Sequence, residues 1–180
     1  SFECVDMVGG GSHNQLAGTW SDDTSMALAL CDSYRELGRV DCDDILRRFR
    51  AWINDGAYTA DGVAFDYGNA TRKALATGRG GTGEWDKGNG SLMRCLPMAF
   101  MGCTSAEVRA VSAITHATDA CMDACEKVIR YAARLMREGA PAGESAGEPG
   151  GSSGYVWDTY NAAIWCLEHT ASYKECVLTA

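Results

Sequence analysis

The chain has 180 residues, a formal net charge of −8 and 46% hydrophobic side chains. That is one domain's worth of chain, with enough apolar surface for a sizeable core. The acidic balance argues against nucleic acid as a partner, and no apolar run reaches the roughly 20 residues needed to span a bilayer.

From the N-terminus, Ser1–Cys4 starts neither helix nor strand, and Gly9-Gly10-Gly11-Ser12-His13-Asn14 is a loop. A first helix is expected from Asp22 to about Leu37, stopped by Gly38, with Ser21 as its capping side chain and two acids in its first turn. Asp41 caps a second helix that carries Ile45, Phe49, Trp52 and Ile53 on one face and ends at Gly56. A glycine-rich passage through Asp66-Tyr67-Gly68 leads into a short helix ending at Gly78. The stretch from Arg79 to Gly90 is a loop, followed by an apolar helix containing Pro97. Thr104 and Glu107 form a capping box for a helix closing near Thr115-His116. Thr118 opens the longest helix, with Cys121, Cys125, Val128, Ala132 and Leu135 on one stripe and Gly139 at its end.

Residues 139–154 form a flexible linker-like segment, eleven of its sixteen residues being Gly, Pro or Ser. Two more helices are expected, from about Val156 and from Ser172, the latter with Ser172 and Glu175 as capping box. Alternating runs are absent and β-branched residues sparse, so no strand is expected and the chain is all-α, a compact multi-helix domain over 1–180. Nine cysteines are an odd number without a C-x-x-C pair, and most lie in apolar helical patterns. They are expected to be reduced thiols of a cytoplasmic protein, and no signal-peptide pattern is found.

Ser21-Asp22-Asp23 admits two readings. It is either a helix start, or a group of hard oxygens for a divalent cation, since two adjacent carboxylates entering a core repel each other. The glycine-rich loops lie between helices, where helix N-termini favour anions such as phosphate.

Five motifs in order resemble the ADP-ribosylglycohydrolase family, which includes the dinitrogenase reductase-activating glycohydrolases. They are Gly18-Thr19-Trp20-Ser21-Asp22-Asp23-Thr24, Asp66-Tyr67-Gly68-Asn69-Ala70-Thr71, Gly88-Asn89-Gly90-Ser91-Leu92-Met93-Arg94, Ile114-Thr115-His116 and Ser153-Gly154-Tyr155-Val156-Trp157-Asp158-Thr159. The resemblance implies an all-α hydrolase with a Mg²⁺ pair that releases ADP-ribose from modified protein side chains or small conjugates. It implies Ser21, Asp22 and Asp23 as metal ligands, with Asp22 and Asp23 acting in catalysis beside the anomeric carbon. Gly88, Asn89, Gly90 and Ser91 match the ADP-ribose-binding loop, with Ser91 as hydrogen-bond donor and helix cap.

Asp86 is placed either to meet a substrate guanidinium or as a solvated loop acid, and Met93 either walls the pocket or packs in the core. His116 matches a histidine near the phosphates or distal ribose, although Ala117 stands where the family has proline. Tyr155 matches an aromatic lining the ligand, with Gly154 letting the backbone come close, while Asp66 and Gly68 are expected to serve as turn and cap. The family's opening acidic helix and its later Asp-x-Asp-Thr motif are not found, so the chain is expected to be truncated at both ends and, alone, inactive. A non-catalytic ADP-ribose-binding relative is the alternative.

Overall fold

A computed structural model describes residues 8–139, 143, 147–149 and 153–179. Most of the segment expected to be a flexible linker, 139–154, lies outside the described residues.

Eight α-helices stand among the described residues: α1 (Asp22–Leu37), α2 (Cys42–Asp55), α3 (Asn69–Thr77), α4 (Leu92–Cys95), α5 (Ser105–Ala113), α6 (Asp119–Glu138), α7 (Val156–His169) and α8 (Tyr173–Thr179). Their ends follow the local chemistry. Asp41 accepts from the Asp44 N–H, Thr104 and Glu107 close the capping box, and Thr118 accepts from the Cys121 N–H. Gly38, Gly56, Gly78 and Gly139 each end a helix in the left-handed conformation. The apolar helix with Pro97 is broken up: α4 is one turn, and Leu96–Phe100 continues as a 3₁₀ helix with Pro97 in its first turn. Proline lacks the N–H that an α-helical interior would use.

No strand is present among the described residues, only isolated backbone bridges. The core is a helix-on-helix layer. Met26, Ala29 and Leu30 of α1 join Ile45, Phe49 and Trp52 of α2, and Cys121, Ala124, Cys125 and Ile129 of α6 join Val156, Tyr160 and Ile164 of α7. The long helix α6 is central, packed on α4, α5, α7 and the 3₁₀ helix. Cys121 and Cys125 are buried, as the stripe required, and the eight cysteines among the described residues are free thiols. No helix there is long and apolar enough to cross a membrane.

Two corrections concern caps. Ser21 occupies the N-cap position of α1 without capping it; its hydroxyl donates to Asp23 Oδ2 at 3.1 Å instead. Ser172 accepts from the Glu175 N–H, but Glu175 reaches back to the Ala171 N–H, one residue short of the reciprocal box.

α1 and α2 are joined by a buried ionic hub. Arg48 is 5% exposed and bonds Asp32, Glu36 at 2.5 Å and Asp44 at 2.6 Å, while Tyr58 Oη donates to Asp32 at 2.9 Å. The backbone carbonyl of Tyr58 in turn accepts from the Trp20 indole at 2.9 Å, which fixes the approach to α1. Removing the guanidinium leaves three facing acids without their shared buried cation, only the more exposed Arg35 and Arg47 remaining beside Asp32 and Asp44. Arg48→Met should therefore destabilise the fold by about 2–4 kcal/mol, read as a lower midpoint in urea.

Candidate active site

The polar centre is built on residues 80–91. In a helical protein such irregular backbone must find partners for its N–H and C=O groups, and here it finds them on both sides. On one side Gly81 donates to Thr115 O at 3.0 Å and accepts from the Ala117 N–H at 2.8 Å. On the other, Asn89 donates to Gly154 O and Lys87 O accepts from the Val156 N–H, both at 3.0 Å. The Gly88–Ser91 turn, His116 and Tyr155, spread over the sequence, are thereby brought together. Asn89 adds a side-chain bond to Thr159 Oγ1 at 3.0 Å.

His116 is buried, with Nδ1 at 2.8 Å from Thr115 Oγ1, and its Cε1–Nε2 edge lies against Gly90. Its pKa is pushed down to about 4, chiefly by burial and then by the charge of Arg94, with Asp86 opposing. The imidazole is therefore neutral at physiological pH. A Cβ on Gly90 would stand 2.7 Å from His116 Cε1 and 3.2 Å from Thr71 Oγ1, and one on Gly81 would stand 2.2 Å from Asp86 Cγ. Close approach requires glycine at Gly90, against the buried His116 ring, and at Gly80, where a Cβ would stand 2.1 Å from Ala113 O; at Gly81 the end of the Asp86 side chain would have to shift.

A Cβ on Gly154 would meet no protein atom within 4 Å, and the Gly154 carbonyl accepts from the Asn89 N–H. Gly88 likewise would make only ordinary contacts. Ser91 makes no cap bond: its buried hydroxyl accepts from Ser112 Oγ at 2.9 Å and from the Cys125 thiol at 3.5 Å. Met93 packs partly buried against the core. Asp86 accepts from the Gly83 N–H at 2.9 Å, closing a 3₁₀ turn at the loop's edge, and Tyr155 is 41% exposed at the start of α7.

The acid pair is set apart by burial. Asp22 is 6% exposed, whereas Asp23 faces outward. Burial is the main reason the Asp22 pKa rises to about 7, followed by the charge of Asp23, a hydrogen bond to it and the charge of Asp66, with Ser21 opposing. Asp66 occupies a positive-φ turn and accepts from His13 Nε2 at 2.9 Å, so it belongs to this acidic group as well as shaping the turn. The sequence offered no signal for that proximity. Gly68 takes the N-cap position of α3, as expected.

Three acids, one with its pKa raised by burial and then by its acidic neighbours, beside a hydroxyl, are chemically suited to a hard divalent cation. The set is partial: among the described residues no three His, Cys, Asp or Glu side chains are arranged to hold a metal ion. α1 packs on α4, and the buried Arg94 lies within Coulombic reach of both Asp22 and His116.

The ADP-ribosylglycohydrolase family profile matches residues 2–149, and the chain belongs to that family. It is 33% identical to the ADP-ribosylarginine hydrolase Tri1 of Pseudomonas putida (strain GB-1), over 97% of this chain and 56% of that protein. A protein of the same name from Serratia proteamaculans (strain 568) is 30% identical, over 97% and 57% of the two chains. The ADP-ribosyl-dinitrogen reductase glycohydrolase of Rhodospirillum rubrum is 29% identical over 96% of this chain and 65% of that one. A solved structure described as an ADP-ribosylglycohydrolase-related protein complex superposes with a TM-score of 0.74 at 26% identity, covering 100% of this chain and 70% of its own. The chain thus spans between half and two thirds of the length of these curated relatives.

Two expected outcomes follow from the geometry. Gly90→Ala should displace His116 and lower the thermal midpoint by several degrees, whereas Gly154→Ala should change it by less than about 1 °C, compared by calorimetry. The pH dependence of stability should also reveal Asp22. His116, depressed when folded, contributes stability that is present above about pH 6.5 and lost as pH falls towards 4. Asp22, raised when folded, contributes stability that is present below about pH 3.8 and lost as pH rises to 7. Asp22→Asn should therefore be more stable than wild type at pH 8 in EDTA, with the difference vanishing near pH 4.

Proposed function

We propose that this chain is the ligand-binding portion of a hydrolase that cleaves the glycosidic bond of ADP-ribosylated side chains, arginine being the favoured acceptor, and releases ADP-ribose. The observation that carries the reading is the Gly88–Ser91 turn, held from both sides and set against a neutral histidine. Backbone N–H groups on a tight glycine turn at the start of a helical segment suit a diphosphate. A buried neutral His116 adds no competing charge and can only donate or accept a hydrogen bond at Nε2. Tyr155 offers an exposed aromatic face at the rim for the ligand's ring systems.

Hydrolysis adds water to the anomeric carbon and breaks its bond to the guanidino nitrogen, through a state with positive charge on the ribose. Asp22 and Asp23 place negative charge where that charge develops. Asp86, at the edge of the turn, is the carboxylate best placed to meet the departing guanidinium. Ser21, Asp22 and Asp23 would hold Mg²⁺, which when bound supplies Lewis-acid polarisation of ribose hydroxyls and water. The names of the relatives, hydrolases of ADP-ribosylarginine and of ADP-ribosyl-dinitrogen reductase, support the substrate class.

The partial ligand set favours a division of labour in which this chain binds but does not turn over substrate by itself. It equally keeps in view a non-catalytic ADP-ribose-binding relative. Titration calorimetry should show ADP-ribose binding to this chain, weakened at least tenfold by Asn89→Ala; equal affinities would remove the turn from the site. With Mg²⁺ and ADP-ribosylarginine, the full-length gene product should release ADP-ribose in an EDTA-sensitive manner and this chain should not. Binding without release by both would favour the non-catalytic relative. Robust turnover by this chain would mean that Asp66, Asp86 or Asp158 completes its site.

A further inference from the structure

Arg94 closes the glycine-turn motif and has no role in the reading above. It is 0% exposed, on the one-turn helix α4. One arm of its guanidinium donates to Gly90 O and the other to Val111 O at 3.3 Å. The Phe49 ring covers its face with the centroid 4.9 Å away, and Nε has no hydrogen-bond partner. No carboxylate among the described residues forms an ion pair with it, although Asp22 is within Coulombic reach. Taking a cation out of water without a paired anion is costly, and as a packing element an apolar side chain would serve better. That cost points to a function at what the guanidinium holds.

We propose that Arg94 is the positioning residue of the glycine turn. It ties the Gly90 carbonyl to α5 so that the turn keeps one shape, and it sets one permanent positive charge beneath that turn, which draws a diphosphate. The inference rests on the ADP-ribose reading given above. The geometry is that of a planar peptide. No peptide bond among the described residues is cis, so the Gly90 carbonyl and the Ser91 N–H point in opposite directions. With the carbonyl tied to the buried guanidinium, the Ser91 N–H stays aimed at the Gly88 carbonyl that it meets in the 3₁₀ turn Asn89–Ser91. A free glycine turn could flip that peptide and offer an anion the carbonyl instead, because glycine has few conformational barriers.

Arginine suits this task and lysine does not. The two acceptors belong to different segments, Gly90 in the turn and Val111 in α5, and spanning them needs a rigid planar fork rather than a point charge. The charge itself acts on the same centre. Arg94 lies within Coulombic reach of Asp22 and of His116, so one cation biases the anion site, the acid pair and the neutral imidazole together.

The test uses this chain, with ADP-ribose and the phosphate-free nucleoside adenosine as probes. Arg94→Lys keeps the charge and loses the fork. At a temperature where the variant is folded by circular dichroism, its ADP-ribose affinity should fall at least tenfold, with adenosine affinity changed less than twofold. Unchanged ADP-ribose affinity in a folded variant would overturn the proposal and reduce Arg94 to a packing residue, as would equal losses for both probes. A second measurement needs no variant. In protein labelled with ¹⁵N-arginine, the slowly exchanging guanidinium signal of the fully buried Arg94 should move on adding ADP-ribose and stay in place with adenosine. A signal that ignores ADP-ribose while calorimetry shows it bound would overturn the proposal alone. Absence of ADP-ribose binding to the wild type would instead overturn the underlying reading, and this one with it.

Discussion

The arrangement depends on one constraint, that a stretch of irregular backbone in the middle of a helical protein must have its polar groups paired. Residues 80–91 solve it by borrowing partners from two connections, the turn before α6 and the turn before α7. Neither connection is near the loop in sequence, and both are held by the helices they join. Because α6 packs on α4, α5 and α7 together, its position decides where the two borrowed edges stand and how far apart.

Charge is distributed around that loop with an economy set by burial. Asp22 enters the core beside two other acids and is left partly protonated near neutrality, which is the condition a divalent cation would relieve. His116 is held neutral by burial and by the nearby guanidinium, so it contributes hydrogen bonding without adding to the field. Exposed Tyr155 and the outward-facing Asp23 complete the rim.

The approach to α1 shows how distant packing supports this centre. Trp20, two residues before the acid pair, is tied through the Tyr58 backbone to the hub where Arg48 meets Asp32, Glu36 and Asp44. That hub also fixes the crossing of α1 and α2. The helix that carries Asp22 is therefore positioned at its first turn by a network one helix away.

What the sequence determined by itself is local. Helix starts at Asp41, Thr104 and Thr118, and helix ends at Gly38, Gly56, Gly78 and Gly139, were legible because a cap is satisfied by atoms two or three residues away. The ordered motifs located the glycine turn, His116 and Tyr155, and the structure gathers them. Side-chain direction was not legible. Ser21 and Ser91 sit at the cap positions their types suggest, yet their hydroxyls turn to Asp23 and to Ser112 and Cys125, because partners from the packed neighbourhood compete with the local N–H groups. Which glycines are indispensable was equally hidden. Gly90 and Gly80 are fixed by the His116 ring and the Ala113 carbonyl pressing on them, and Gly154, alike in sequence, faces open space. The burial of Arg94 and the approach of Asp66 to Asp22 likewise follow from helix packing. Those contacts join segments tens of residues apart, and only the tertiary structure decides them.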